Sequence, residues 1–196
     1  METPLDRMAD FDLSPEHRQL RRAVREFAEK ELLPHVETYE REARYPLEQI
    51  AKLGPLGYMG PLIPERFGGS YVDAISYGIL VEELARIDWV IASVVSVSNS
   101  LCATAILNYG TAAQQERWLP EIAAGRCLAS ACLTEPGGGT DLPNMRTTAT
   151  RAPGGWRLNG TKVFISHAAH AGVFFTVATL DREKKHGGVT AFLVDP

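Results

Sequence analysis

The sequence has few cysteines and lacks the patterns that accompany disulfides, zinc or nucleic acid. Its three cysteines, Cys102, Cys127 and Cys132, include no Cys-x-x-Cys pair, so neither a disulfide framework nor a structural zinc site is indicated. No run of basic residues is longer than two, and the net charge is -4. We therefore expect no metal, no nucleic-acid partner and a reducing compartment.

The first twelve residues also lack an apolar leader. They carry Glu2, Asp6, Asp10 and Asp12, with neither an apolar core nor an Arg-rich face. A secretory signal needs an apolar core, and a transit peptide is rich in arginine and poor in acids. We expect a cytoplasmic location.

One long stretch without charge, residues 89–115, raises the question of a membrane. A spanning helix requires about 20 predominantly apolar residues. Here, serine, asparagine and threonine interrupt the run at close intervals. The pattern and length predict a helix buried inside a soluble fold and no membrane span.

Two common nucleotide-binding signatures are missing. The glycine cluster that contains Gly137 and Gly139 lacks the third glycine of Gly-x-Gly-x-x-Gly, and no Gly-Lys-Ser/Thr ending of a P-loop occurs. A Rossmann or P-loop nucleotide site is therefore disfavoured.

What the sequence does contain is a helical first part. The chain has 196 residues, of which 45% are hydrophobic, and this is enough for a substantial core. Ser14 followed by Pro15 is a typical helix start, because the hydroxyl caps free amides and proline suits the first turn. Helical periodicity then recurs from Asp73, over residues 89–107 and over Thr111–Ala124. We predict an all-α segment up to about residue 125.

After residue 126 the periodicity changes to that of strands. The apolar run at 127–133, bounded by glycine, predicts a buried strand. Residues 156–166 contain two alternating runs around Asn159-Gly160, and this dipeptide predicts a hairpin turn. Further strands are predicted at 173–180 and 189–194. The fold class is therefore α+β.

The densest candidate for chemistry is the segment Leu133–Asp141, which follows the predicted buried strand. Its three successive glycines let backbone amides approach a ligand closely, and Thr134 and Thr140 add hydroxyl donors. The alternative is a glycine-rich turn shaped by Pro136 with no ligand.

A second candidate is the aromatic-hydroxyl pair at Phe164 and Ser166. In a strand these two side chains point to the same face, so they could stack on a planar cofactor and hydrogen-bond its edge. The alternative is that Phe164 is an ordinary core residue. His167 and His170 have no acidic partner at metal spacing and are interpreted as loop histidines.

Two motifs resemble those of the flavin-dependent acyl-CoA dehydrogenases. The string Thr-Glu-Pro-Gly-Gly-Gly-Thr-Asp at 134–141 is similar to the family signature Thr-Glu-Pro-x-Ala-Gly-Ser-Asp. The string Leu-Asn-Gly-Thr-Lys-Val-Phe-Ile-Ser at 158–166 is similar to the family hairpin Leu-Asn-Gly-x-Lys-x-aromatic-Ile-Thr-Asn. Three departures are Gly138 for alanine, Thr140 for serine, and Ser166-His167 for Thr-Asn. The likeness extends from about residue 11 to residue 196.

The resemblance implies an N-terminal α-helical domain at 1–128 and, at 129–196, the first strands of an antiparallel, barrel-like middle β-domain. A C-terminal helical domain would be absent. In the family, FAD lies against the middle domain, so the resemblance implies FAD as cofactor. Its implied contacts are Leu133, Thr134, Gly139, Thr140, Phe164 and Ser166, with Thr140 also lining the acyl-CoA path.

The resemblance also implies a reaction and partners. Family members oxidise acyl-CoA thioesters to trans-2-enoyl-CoA by α-proton abstraction and β-hydride transfer to FAD, pass electrons to an electron-transfer flavoprotein, and are usually tetramers. The glutamate that acts as their base belongs to the C-terminal domain, so no catalytic residue is identified here, and the chain alone is expected to be inactive. The alternatives are an acyl-CoA oxidase, or a non-catalytic subunit that pairs with a separate C-terminal half.

Overall fold

The computed structural model describes residues 13–196, so the prediction about a leader in residues 1–12 lies outside the described part. Its first part is helical, as the sequence predicts. The α-helices are α1 (Pro15–Phe27), α2 (Leu33–Glu42), α3 (Leu47–Ala51), α4 (Ala74–Ala85), α5 (Trp89–Ser96), α6 (Thr104–Tyr109) and α7 (Ala112–Ala123). The π-helical stretches Ala28–Leu32 and Val97–Ala103 join α1 to α2 and α5 to α6.

The second part is a five-stranded sheet. Its strands are β1 (Leu128–Cys132), β2 (Thr148–Ala152), β3 (Gly155–Asn159), β4 (Ala171–Thr179) and β5 (Val189–Val194). Short 3-10 helices occupy Glu65–Phe67, Leu142–Asn144, Ala168–His170 and Arg182–Gly188. This order of helices followed by strands confirms the predicted α+β class.

The pairing within the sheet is mixed, whereas the resemblance implied an antiparallel one. β4 pairs in parallel with β1 and, at one residue, with β2, and it pairs antiparallel with β5. β2 and β3 form an antiparallel hairpin. β1 and β4 can pair in parallel because the long segment between them brings the chain back across the sheet, so that both strands start at the same edge.

The predicted hairpin turn at Asn159-Gly160 is wrong. The hairpin joins β2 to β3 through Pro153-Gly154, with Ala152 opposite Gly155 in the register. Gly154 has a φ of 78°. A type II turn requires positive φ at its third residue and commonly has proline before it, as here. Asn159 ends β3, and the chain beyond it leaves the sheet.

Two predicted helix starts are confirmed, and the first is capped by Ser14, as the sequence predicts. The Ser14 hydroxyl accepts a hydrogen bond from the His17 amide, while the His17 ring accepts from the Ser14 amide. Thr111 and Gln114 form the same reciprocal pair at the start of α7. Each pair satisfies two backbone amides that a helix start leaves free.

The uncharged helix spans Trp89–Tyr109 and is long and apolar enough to cross a membrane by length and composition alone. Half of its most apolar window is buried inside the fold. Its residues Ile91, Val94, Val95 and Cys102 are fully buried in the core. This packing is that of a core helix, as the sequence analysis predicts.

The same helix supports β1. The Ser98 hydroxyl lies 3.3 Å from the Ala129 amide nitrogen and 3.5 Å from its carbonyl oxygen. The buried Asn99 side chain donates to the carbonyls of Met59 and Val95. β1 is therefore fixed on one side by the helical part and on the other by β4, and its C-terminal end is held in place.

Candidate functional site

The candidate site begins at the C-terminal end of β1. Leu133 and Thr134 leave the strand half-buried, and the chain then reverses in a tight turn. This turn is closed by two backbone hydrogen bonds between Glu135 and Gly138, of 3.0 and 3.1 Å. The glycine segment is therefore a defined loop on a rigid strand end.

A buried carboxylate organises this loop. The Glu135 side chain is 7% exposed and accepts hydrogen bonds from the amides of Arg146 (2.6 Å) and Thr147 (2.9 Å) and from Lys162 Nζ (3.0 Å). Burial alone would raise the pKa of Glu135, but hydrogen bonds from Thr147, Arg146 and Lys162 outweigh it and lower the pKa to about 2. The carboxylate stays ionised, and both of its oxygens accept hydrogen bonds.

Lys162 connects this loop to the second motif. Besides its ion pair with Glu135, its ammonium donates to the Leu133 carbonyl at 2.9 Å. The next amide, that of Val163, donates to the Thr134 carbonyl at 2.9 Å. The two motifs, which are separated in sequence, are thus joined side by side.

Phe164 follows directly and is the most exposed large apolar side chain of the described residues, at 93%. Its φ is 57°, in the left-handed region that a bulky residue rarely adopts. Phe164 and Ser166 do not lie in a strand, so the argument that placed both on one strand face is wrong. An aromatic ring held outwards in a strained conformation suggests a functional role.

The predicted hydroxyls are free to bind a ligand. Within residues 13–196 the side chains of Thr134, Thr140 and Ser166 form no hydrogen bond. Gly139 lies against Thr134, since a Cβ at Gly139 would come within 3.4 Å of the threonine methyl and hydroxyl. Leu133, Thr134 and Gly139 are therefore close together, while Thr140 lies exposed further along the loop.

A pocket of about 210 Å³ opens beside the loop. It is lined by Leu133, Glu135, Gly137, Gly138, Asp141, Leu142, Asn144, Met145 and Arg146. Asn144 links this wall to the β4–β5 connection, because it donates to Asp141 at 2.5 Å and accepts from Lys185 Nζ at 2.8 Å. The loop is thus braced from both sides.

Sequence reasoning missed Glu135, Lys162 and His167. Glu135 and Lys162 stand inside the two motifs, but a sequence gives no sign that residues so far apart pair. His167, interpreted as a loop histidine, is 9% exposed and lies 3.0 Å from the Ala129 carbonyl. His170 is exposed and stacks on Tyr45 with 4.7 Å between the ring centroids.

The described residues offer neither a reactive thiol nor a metal centre. Burial raises the pKa of Cys102 to about 12, raises that of Cys127 to about 11 and also raises that of Cys132. All three thiols therefore remain protonated and unreactive. In the described range, no group of three or more His, Cys, Asp or Glu side chains could hold a metal ion. The chemistry of the site rests on hydroxyls, amides and one aromatic ring.

Comparisons with known proteins agree with the two motifs. Residues 14–126 match the family model of the acyl-CoA dehydrogenase N-terminal domain, and residues 130–196 match that of the middle domain. The chain is 34% identical to an acyl-CoA dehydrogenase of Bacillus subtilis, over 93% of this chain and 48% of the relative. It is 36% identical to the mitochondrial short-chain specific acyl-CoA dehydrogenase of Mus musculus, over 93% and 44%.

Solved structures show the same architecture. Butyryl-CoA dehydrogenase from Megasphaera elsdenii has a TM-score of 0.87 and 36% identity, over 95% of this chain and 50% of that one. A glutaryl-CoA dehydrogenase from Mycobacterium smegmatis in complex with FADH2 has a TM-score of 0.90 and 35% identity, over 100% and 49%. The chain spans about half the length of the relatives it matches. From these matches and the two motifs, we conclude that the chain belongs to the acyl-CoA dehydrogenase family.

Proposed function

We propose that this chain supplies the FAD-contacting part of an enzyme that oxidises acyl-CoA thioesters to trans-2-enoyl-CoA. The observation that carries the proposal is Phe164, an aromatic ring that is 93% exposed in a left-handed backbone beside the family signature loop. A solvent-exposed aromatic face on a fixed segment is suited to stack on a planar ring system.

The residues present fit FAD. An isoalloxazine ring has apolar faces and an edge of hydrogen-bonding atoms. The site offers the Phe164 ring for a face, and it offers the free hydroxyls of Thr134 and Ser166 for the edge. Nothing lies within 4 Å of a Cβ added at Gly137 or Gly138, so the loop leaves room for a ligand to approach the backbone.

The chemistry that FAD contributes when it is bound is the acceptance of a hydride from the substrate β-carbon. The protein's own residues would hold and orient the cofactor and the acyl-CoA. Thr134 would donate to the reactive edge of the cofactor, Leu133 and Gly139 would shape the surface beside it, and Thr140 would line the path of the acyl-CoA. Glu135 and Lys162 keep these residues in register by joining the two motifs.

Glu135 is not the base that removes the α-proton. Three donors occupy its carboxylate, and its pKa of about 2 makes it a poor proton acceptor near neutral pH. Asp141 is held by Asn144. We therefore assign proton abstraction to no residue of this chain, in keeping with a base located elsewhere in the whole enzyme.

We further propose an electron-transfer flavoprotein as electron acceptor, a homo-oligomer, which in this family means a tetramer, and a cytoplasmic location. The first of these is supported by a similar chain, with a TM-score of 0.90 and 35% identity, that comes from work on the electron transferring flavoprotein of Acidaminococcus fermentans.

The proposal is tested by mixing the purified 196-residue chain with FAD, removing the excess and recording the visible absorption spectrum. Retained flavin with a shifted spectrum is the expected result. A folded chain that retains no flavin would contradict FAD capture by this chain. With the whole enzyme, rapid reaction of the reduced flavin with oxygen would favour the oxidase alternative over the dehydrogenase.

A further inference from the structure

Two adjacent residues of β1 hold two adjacent residues of the flavin-contacting segment. The Ser130 hydroxyl donates to the Ser166 carbonyl at 2.7 Å. One residue further in each direction, His167 Nε2 lies 3.0 Å from the Ala129 carbonyl oxygen. The segment after Phe164 is thus attached to the strand that carries Thr134.

The His167 contact fixes the state of the ring. A carbonyl oxygen only accepts, so Nε2 must carry the hydrogen of this bond. In the neutral ring Nδ1 is then a bare acceptor, and it is buried without a hydrogen-bond partner. Protonation would place a charged N–H at Nδ1 where the structure provides no acceptor, and such a buried unpaired charge is costly.

The backbone of His167 also suits this position. Its φ is 43° and its ψ is 27°, a left-handed conformation in which histidine, asparagine and aspartate are over-represented among residues other than glycine. The family pattern has asparagine here. Histidine keeps the backbone preference and adds a ring long enough to reach β1.

We propose that His167 is a positioning residue whose neutral ring anchors the Phe164–Ser166 segment to β1, so that this segment keeps the geometry needed to contact the flavin. The inference rests on the proposed FAD site and deepens it. Loss of the neutral ring releases one of the two tethers to β1 and leaves the Ser130 hydrogen bond as the other.

The surroundings of His167 make this anchor sensitive to acid. On its own segment the nearest titratable group is His170, which stacks on Tyr45, and Tyr45 in turn faces Asp88. The titratable groups on either side of Ala129 along the chain are the buried thiols of Cys127, just before β1, and Cys132, at its end. Burial, with a smaller contribution from His170, lowers the pKa of His167 below its ordinary value of 6.5, although the Ala129 hydrogen bond opposes the shift.

The sign of the effect follows from this shift. Because the folded-state pKa lies below the ordinary 6.5, the anchor is fully present above that value. It is lost as the pH falls towards and through the lowered pKa. Mild acid should therefore loosen the segment before it affects the Glu135–Lys162 pair.

The test measures the FAD dissociation constant of the 196-residue chain by flavin fluorescence from about pH 7.5 to about pH 5.5, a range in which histidine is the main titrating side chain. The titration is continued to about pH 4.5, well below the ordinary histidine pKa, while Glu135 remains ionised. Over this whole range we expect the dissociation constant of the unmodified chain to rise about fivefold, equivalent to one neutral hydrogen bond. His167→Asn should remove this dependence. The control His186→Asn, at an exposed histidine of the β4–β5 connection, should retain it. An unchanged pH profile in His167→Asn would overturn the proposal.

A second readout needs neither FAD nor a variant. In NMR spectra of the unmodified chain, the amide resonances of Phe164 and Ser166 should shift with the midpoint of the His167 ring titration. If they stay constant while the ring titrates, His167 does not position the segment. A chain that binds no FAD but shows the coupled shifts would contradict the proposed function and support the role of His167.

Discussion

Among residues 13–196, the helical part and the sheet part each bury one glutamate, and the two carboxylates are satisfied in different ways. Glu83 on α4 is 2% exposed. Its partners are arginine side chains: Arg25 donates two hydrogen bonds of 2.8 and 3.0 Å, and Arg21 and Arg86 approach to 3.6 and 3.4 Å. These contacts tie α1 to α4 through long, partly exposed side chains.

Glu135 receives two of its three hydrogen bonds from backbone amides and the third from Lys162, whose side chain is 9% exposed. Backbone donors cannot turn towards water without moving the chain. The comparison teaches that a carboxylate held by side chains joins elements, while one held by amides sets the path of a loop. We expect Glu83 to contribute to stability alone and Glu135 to stability and ligand binding together.

The largest effect is expected from Glu135→Gln. It leaves Lys162 buried without a counter-ion and replaces one acceptor oxygen by a donor facing backbone amides, at a cost of about 3 kcal/mol in the free energy of unfolding. FAD affinity should fall with it, because the two motifs separate. Urea unfolding and FAD titration measure the two effects. The control Glu183→Gln, at an exposed site on the β4–β5 connection, should change neither.

Acid should reduce the difference in the free energy of unfolding between the unmodified chain and Glu135→Gln. The pKa of Glu135 is lowered from 4.5 to about 2 by folding. Its contribution is therefore present above 4.5 and is lost as the pH falls through about 2. Urea unfolding of the unmodified chain and of Glu135→Gln, measured as a function of pH, should show that their free energies of unfolding converge below pH 4.5. A constant difference down to pH 2 would mean that the glutamate charge is not what Lys162 and the amides require.

A smaller effect is expected from Glu83→Gln, about 2 kcal/mol in the free energy of unfolding, because its arginine partners can turn partly to water. FAD affinity should stay unchanged. Glu82→Gln is the matched control, since Glu82 is the neighbouring residue, is 58% exposed and forms an ion pair with Arg21. It should cost at most about 0.5 kcal/mol. Loss of FAD affinity in Glu83→Gln would remove the distinction between the two carboxylates.

The smallest effect is expected from Thr134→Val, which removes one hydroxyl at nearly constant volume. Loss of one hydrogen bond should raise the FAD dissociation constant about fivefold, with little change in stability. Thr150→Val, at an exposed position of β2, should leave FAD binding unchanged. Equal affinities for Thr134→Val and the unmodified chain would exclude Thr134 from the site, while Glu135 would still organise the loop.

The confirmed sequence predictions rest on residues that are close together in the chain, whereas pairings between distant residues were not predicted. Ser14 predicted a helix start because capping involves residues close together in the chain. Asn159-Gly160 failed because the chain beyond β3 is drawn out of the sheet, where Lys162 reaches Glu135. Gly160 instead allows the backbone to approach Thr147 closely, since a Cβ at Gly160 would lie 2.6 Å from Thr147 Cα.

The site was predicted in part for the same reason. Thr134 and Phe164 could be named from motifs, since each stands in a short recognisable string. Their exposure, the left-handed backbone of Phe164 and the anchoring of His167 depend on contacts with β1, which periodicity does not encode. A sequence pattern can therefore suggest which residues meet a ligand, but the contacts that hold them come from the fold.

The parallel pairing of β1 with β4 also sets the order in which the chain can fold. These neighbouring strands are separated along the chain by the whole of residues 133–170, and closing so long a loop costs entropy before any pairing is gained. The hairpin of β2 and β3 is local and can form in microseconds. Thr134 and Phe164 both lie within this long connection, so we expect an FAD site formed by them to be completed only after β1 has paired with β4.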